Sequence, residues 1–440
     1  MSNRSNTYRV NNKGREIHNS HLQKIEKMKN NFQRNGILLL CSLLWATVTV
    51  AQSPLTLNEA IAAGIKNNPN LQAAQLDSKM QLQLVKSAYE LPQTEFTGTF
   101  GQINTKANDR NFAVSQTFSP FQYGAKKKLL QANSALSTLQ AAQTQQELIF
   151  SIRQSWNAML YYAELNKIME KHNSLMKRFV RSASLKFDTG ETNALEKTTA
   201  VAKQQELEQQ IKQNQALLWV EQSKLKTYLN DTGDFRISDT LLTALPALTV
   251  LDSSMVVKNN VLQVAAENVR VAEAATKVQR STLMPDVTAG YFIQSFTGNQ
   301  EVNGATVYYD GAPRFQGFTV GISLPLFAGS GVAKIKAAKT NIEIRQKDAE
   351  YLQAQLKNQY YQLREQLATY ESLIAYYKTT ALPNAETMTE NASKAYRNGD
   401  ISYVEYVQAV ETAMTIRTNY LNALNKYNQT VINLQFMVNQ

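Results

Sequence analysis

"GFTVGISLP", residues 317–325, alternates with a period of two. Phe318, Val320, Ile322 and Leu324 share one face, and Gly317, Thr319, Gly321 and Ser323 share the other. Three more stretches read the same way. In "DVTAGYFIQ" (286–294) Val287, Ala289, Tyr291 and Ile293 lie together. In "NFAVSQTF" (111–118) Phe112, Val114 and Phe118 alternate with Ala113, Ser115 and Thr117. In "TEFTGTFGQI" (94–103) Phe96, Gly98 and Phe100 alternate with Thr97, Thr99 and Gly101. Strands that are apolar on one side and small or polar on the other suit a membrane β-barrel, although a half-buried sheet on a soluble core alternates likewise.

The surroundings favour the barrel. The strands occur as only two hairpins, and no compact core is available to cover their apolar face. Four strands cannot close a spanning barrel, and lipid does not tolerate an open sheet edge. Copies must therefore pool their strands: two would reach eight and three would reach twelve, with eight the smallest usual number. The connecting segments "NTKAND" (104–109) and "TGNQEVNGATVYYDGAP" (297–313) are rich in Gly and Asn and suit exposed loops.

Outside the hairpins the chain is mainly α. Residues 126–185 contain no Gly or Pro, which allows roughly 90 Å of helix at about 1.5 Å per residue. The later part predicts a helix over 254–283, strands over 286–296 and 315–324, and helices over 332–397 and 402–438, with a kink at Pro383. "LQAAQTQQELIF" (139–150) and "AVAKQQELEQQIKQNQALLWVEQ" (200–222) are rich in Ala and Gln with narrow apolar stripes. Such helices pack on thin seams while two broad faces meet water. An elongated coiled coil fits, and so does a hollow cylinder with water inside and out.

The sequence also repeats itself. "FDTGETNALEK" (187–197) returns 209 positions later as "YRNGDISYVEY" (396–406), so that Gly190 falls on Gly399, Glu191 on Asp400 and Glu196 on Glu405. "KNNPNLQAA" (66–74) returns as "KNNVLQVAA" (258–266), "ELPQTEFTGTF" (90–100) as "LMPDVTAGYF" (283–292), and "FSPFQYGAKKK" (118–128) as "LPLFAGSGVAKIK" (324–336). The order is kept throughout, which indicates a tandem duplication of helix, strand, strand, long helix, turn and helix. The expected division is a first repeat over 52–230, a connector over 231–253 and a second repeat over 254–440. Thr56 and Glu59 have capping-box spacing. The first helix should break near Pro69 and stop before Pro92.

The front of the chain, residues 1–51, reads as a leader. "MKNNFQRNGILLLCSLLWATVTVAQS" (28–53) has a basic start, an apolar run and small residues before Gln52, as in a secretory signal peptide cleaved after Ala51. Met28 is a plausible true start. The leader carries eight Lys/Arg and two Asp/Glu, so its removal takes the formal charge from +11 to +5. That weakens a nucleic-acid reading of the basic composition. It also takes Cys41, His18 and His21, leaving His172 as the one histidine of the remaining chain. With this inventory we expect no catalytic residues, no metal site and no cofactor. Met159, Met169 and Met176 read as helix packing rather than a soft-metal path.

Together, "LTLNEAIAAGIKNNPNLQAA" (55–74), "GISLPLF" (321–327), "AYRNGDISYVEYVQA" (395–409) and "NLQFMVN" (433–439) resemble the TolC-like outer-membrane efflux ducts. The resemblance implies a homotrimer in which each chain gives four strands to one 12-stranded transmembrane β-barrel. The long helical hairpins would form an α-barrel tunnel across the periplasm. The two glycine turns would lie at its far end, where the hairpins close like an iris and meet a periplasmic adaptor and an inner-membrane pump. Outer-membrane lipid would face Phe96, Phe100, Phe112, Val114, Phe118, Val287, Tyr291, Ile293, Phe318, Val320, Ile322 and Leu324.

On this reading Gly190, Glu191, Gly399 and Asp400 form the hairpin tips, with positive φ at both glycines and helix caps at Asn193 and Ser402. Glu196 and Glu405 are placed two turns inside the return helices, as two rings of like charge that attract cations. Tyr396 falls where the family has an aromatic in its closing network. An Arg that some members carry two residues after the glycine is replaced by Ile401, and Arg397 is the available substitute. Lys126, Lys127 and Lys128, echoed by Lys334 and Lys336, oppose the macrodipole if they start a helix; anionic headgroups are the expected compensation. The expected function is a passive exit duct of a tripartite efflux system. An exit duct for protein secretion, or a periplasmic coiled-coil adaptor or stalk, are the alternatives, and an enzyme is the remotest.

Overall fold

In a computed structural model, residues 54–235, 237–239, 241–246 and 253–439 are described. The leader, with Cys41, His18 and His21, lies outside them. The described residues between 56 and 439 form one compact unit. Its order is α1 (Leu57–Asn67), α2 (Pro69–Leu84), a 3₁₀ turn (Val85–Tyr89), β1 (Glu95–Gly101), β2 (Asp109–Phe118), α3 (Pro120–Asp188) and α4 (Ala194–Leu229). After the connector come a 3₁₀ turn (Ser253–Lys258), α5 (Asn260–Ser281), β3 (Asp286–Val302), β4 (Ala305–Ser323), α6 (Gly329–Tyr376), a π turn (Tyr377–Ala381), α7 (Leu382–Asn398) and α8 (Tyr403–Met437).

Local chemistry sets the helix boundaries. Thr56 and Glu59 form a reciprocal capping box at α1. Pro69 separates α1 from α2, and the Asn68 carboxamide accepts from the Leu71 N–H to start the second helix. α3 runs unbroken for 69 residues, about 100 Å at 1.5 Å per residue. Its counterpart is interrupted: Pro383 has no N–H to give, and the turn before it widens so that the Leu382 N–H reaches the Tyr377 carbonyl. The expected kink at Pro383 is thus taken up as a π turn.

β1–β2–β3–β4 form one antiparallel sheet in chain order. β1 and β4 are its free edges. The second hairpin is longer than the alternation suggested, because "VNGA" (302–305) closes a two-residue turn with Asn303 at φ 54° and Gly304 at φ 79°. Asn-Gly is the favoured pair for such a turn, so much of the expected 297–313 loop is strand. The β3–β4 register shifts between Gln294 and Thr297, with the extra residues on β4. Nearby, buried Asp109 accepts from the Asn104 N–H at 3.2 Å and the Thr297 N–H at 2.8 Å, tying the two hairpins together.

A shared core near the glycine turns joins four helices. Met176, Phe179 and Ala183 of α3, Ala200, Leu207 and Ile211 of α4, Ala392 of α7, and Tyr403, Tyr406, Val407 and Val410 of α8 pack together. Met159 and Met176 are buried and Met169 lies against this core. Fully burying side chains of this size stabilises by about 1.5–3 kcal/mol each.

Candidate functional site

The sheet register decides which strand residues share a face, since directly paired residues project to the same side. Phe96 pairs with Val114, Val114 with Tyr291 and Tyr291 with Phe318. Phe112 pairs with Ile293, Phe118 with Val287 and Val287 with Ile322. Phe100 follows Phe96 by four residues and Val320 stands between Phe318 and Ile322, so these share the face too. Leu324 lies one residue past β4 and is exposed. The face is open: Phe96 is 81% and Phe318 84% accessible.

The opposite face has different chemistry. Thr97, Ala113, Phe292 and Gly317 form one row, and Thr117, Thr288 and Gly321 another. The Thr117 and Thr288 hydroxyls lie 2.9 Å apart in a hydrogen bond. The sheet is therefore apolar on one side and predominantly small or polar on the other, with both edges unpaired.

Each glycine turn is built the same way. After α3 the Glu191 N–H donates to the Lys186 carbonyl at 2.7 Å and the Gly190 N–H to Phe187 at 3.1 Å. After α7 the Asp400 N–H donates to Ala395 at 2.9 Å and the Gly399 N–H to Tyr396 at 3.2 Å. These paired bonds are a Schellman motif, which needs a left-handed residue. Gly190 supplies it at φ 77° and Gly399 at φ 80°. Asn193 then caps α4 and Ser402 caps α8.

The caps correct the placement of the two glutamates. Glu196 and Glu405 stand in the first turn of α4 and α8, three residues past each cap, not two turns inside. The Glu405 carboxylate accepts from the Ser402 N–H at 2.7 Å and its hydroxyl at 2.8 Å. Those bonds hold its pKa below the usual glutamate value, the backbone bond contributing most. Glu196 accepts from the Thr192 hydroxyl.

Tyr396 enters an aromatic cluster that the sequence reading did not assemble. It stacks on Tyr406 with ring centroids 4.9 Å apart, and Phe179 meets Tyr406 edge-on at 4.8 Å and Tyr403 at 5.6 Å. The Lys186 ammonium sits 5.6 Å over the Tyr396 ring. Burial, then the negative charge of Glu196, push the Tyr403 hydroxyl up to about 12. Tyr396, Tyr403 and Tyr406 are spaced for this, but Phe179 lies more than 200 residues away and no local signal pairs it. Arg397 does not join the glutamates; its side chain donates to the Ser393 carbonyl of its own helix at 3.2 Å. Ile401 is half-buried against the shared core. His172 is buried beside the Lys203–Glu411 ion pair (2.6 Å), and burial lowers its pKa.

The lysines also stand differently from expectation. α3 begins at Pro120 and α6 at Gly329, so Lys126–Lys128, Lys334 and Lys336 lie beyond the first turn. The macrodipole fades over that distance. Lys126 pairs with Glu90 at 2.9 Å, and Lys127 lies 5.5 Å over the Tyr89 ring.

Residues 253–440 match the family described as Outer membrane efflux protein. The match spans the second repeat, less than half of the chain. The fold as a whole is shared with solved structures. The crystal structure of the Campylobacter jejuni CmeC outer membrane channel superimposes with a TM-score of 0.71 at 14% identity, covering 87% of this chain and 85% of that one. The outer membrane protein VceC from Vibrio cholerae gives 0.71 at 12%, covering 87% and 95%. A crystal structure of CusC gives 0.71 at 16%, covering 88% and 92%. No match is found among curated proteins by sequence. The outer membrane efflux fold is thus present: mainly helical, with a small curled sheet of four strands. Of these neighbours, CmeC is an outer membrane channel. Among the described residues no helix is long and apolar enough to cross a membrane, a statement that leaves a barrel untouched.

Proposed function

We propose that this chain is a passive exit duct of a tripartite efflux system, with three copies pooling their strands into one twelve-stranded outer-membrane barrel. One observation carries the reading. A four-stranded sheet exposes a predominantly apolar face, interrupted by Gln116 and Gln316, and leaves both edges unpaired, and lipid accepts such a face only when the sheet is closed. The long helices continue the wall into the periplasm. The hairpin tips at Gly190–Glu191 and Gly399–Asp400 dock a periplasmic adaptor, which connects the duct to an inner-membrane transporter.

The gate lies at the same end. Three copies of Glu196 and Glu405 give two rings of like charge, which resist full closure and favour cations. The Phe179–Tyr396–Tyr403–Tyr406 cluster holds the two hairpins of a copy together until a partner separates them. His172 serves packing, and no step of chemistry is assigned.

The protein should remain in membranes after a carbonate wash, run as a heat-sensitive oligomer of three chain masses, and conduct ions in a planar bilayer. A lone copy monodisperse in detergent-free buffer would sink the reading and favour a periplasmic stalk. Glu196→Gln with Glu405→Gln should lower the cation preference of the conductance; an unchanged preference removes the charge rings from the account.

A further inference from the structure

β2, β3 and β4 reach one margin of the sheet together, where Phe118 pairs with Val287 and Asp286 with Ser323, and β1 begins just inside it at Glu95, opposite Ser115. Four helical ends meet this margin: the 3₁₀ turn after α2, the start of α3, the end of α5 and the start of α6. They are packed side by side. The Tyr89 and Tyr123 rings are 6.1 Å apart, and a Cβ on Gly331 would come within 2.5 Å of the Leu283 side chain.

Two kinds of surface coincide there. The turn between β4 and α6 leaves Leu326 82% and Phe327 96% accessible, and Phe121, Tyr89 and Leu91 are exposed elsewhere along the same margin. Just beyond, positive charge accumulates. No Asp or Glu occurs from Pro120 to Gln146 or from Gly329 to Ile342, yet these segments carry six lysines. Lys126 and Lys127 are engaged by Glu90 and Tyr89. Lys128, Lys334, Lys336 and Lys339 are exposed and have no ion-pair partner among the described residues.

Geometry links the two surfaces. Helical Cα–Cβ bonds tilt toward the N-terminus, so these lysines lean back toward the sheet margin, and their long stems can run along apolar surface while the ammonium stays wet. Aromatic and aliphatic groups bordered by unpaired ammoniums fit the boundary between acyl chains and anionic headgroups.

We infer that this margin is a phospholipid-recognition belt, in which the unpaired lysines of α3 and α6 bind anionic headgroups while Leu326 and Phe327 enter the acyl boundary. The belt rests on the proposal that the sheet faces lipid, and it adds a headgroup preference that an apolar strand face cannot supply.

Native mass spectrometry of the full chain, extracted from membranes and exchanged into equimolar phosphatidylglycerol and phosphatidylcholine of one chain length, tests it. The retained ratio should favour phosphatidylglycerol. It should fall at least about fivefold in Lys334→Gln/Lys336→Gln/Lys339→Gln, with no change in Lys212→Gln/Lys357→Gln/Lys378→Gln, which alters net charge equally on remote helix surface. Equal retention of the two lipids, or equal loss in both variants, overturns the belt while leaving the duct intact. Leu326→Ala/Phe327→Ala should keep the oligomer and lose bound lipid. If the oligomer falls apart with lipid retention unchanged, a neighbouring copy covers this turn and the belt is wrong. Release of the unmodified protein by carbonate with neither lipid retained would remove the duct reading as well.

Discussion

The two glycine turns have the same backbone and different surroundings. Each ends its helix with the same pair of carbonyl bonds and a left-handed glycine, and each restarts with a side-chain cap three residues later. Beyond that they diverge. The second turn is stapled by a full capping box and by Ile401, and Tyr396, Tyr403 and Tyr406 flank it in the shared core. The first has Asn193 as a one-way cap and Thr192 where Ile401 stands, with Leu195 exposed at the start of its return helix. Identical local chemistry therefore makes two equal reversals, and tertiary packing makes one of them firmer. In an iris the first hairpin is the part expected to yield.

That contrast can be broken from its strongest side. Phe179→Ala removes the ring that Tyr396, Tyr403 and Tyr406 share and should cost about 3–5 kcal/mol. Hydrogen exchange should quicken around both turns and erase the difference between them; exchange that quickens at α3 alone would show that the cluster does not couple the hairpins. Gly190→Ala and Gly399→Ala each force a Cβ into left-handed backbone, at about 1–2 kcal/mol. Neither glycine has a neighbour within 4 Å of an added Cβ, so the two losses should match in thermal unfolding. An inequality would mean that one turn relaxes.

The caps sharpen the comparison further. Ser402→Ala and Asn193→Ala should each cost about 1 kcal/mol, with the larger loss at Ser402 because the Glu405 carboxylate loses its hydroxyl donor as well. Amide exchange in the first turns of α8 and α4 reads the difference. The smallest effect is one of pH. The folded pKa of Glu405 is depressed, so its contribution is present above the unfolded value near 4.3 and is lost as pH falls through the lower folded value. Protection in the first turn of α8 should drop below about pH 4, and Glu405→Gln should flatten that profile.

The alternation at 317–325 and the 209-residue offset were enough to read the strand face and both reversals from sequence. Period two is a local signal, and the sheet register kept every paired row on the expected side. Left-handed backbone after a long helix is equally local, because few residues other than glycine adopt it at low cost. Three things were less legible. The length of the second hairpin depended on Asn303–Gly304, a signal that the surrounding glycines and asparagines obscured. The place of Glu196 and Glu405 depended on counting from the caps rather than from the turns. The aromatic cluster brings together side chains separated by more than 200 residues, and no pattern within either segment encodes that meeting.

The widened turn at Tyr377–Ala381 has a consequence for the duplication itself. From helix start to glycine turn the two repeats are equally long, Pro120–Gly190 matching Gly329–Gly399. The widened turn spends one residue of that length without advancing the spiral, and in a uniform helix one residue is worth about 100° of rotation. The two copies therefore correspond residue for residue but not face for face, and past Ala381 the second hairpin shows its neighbours a different side from the first.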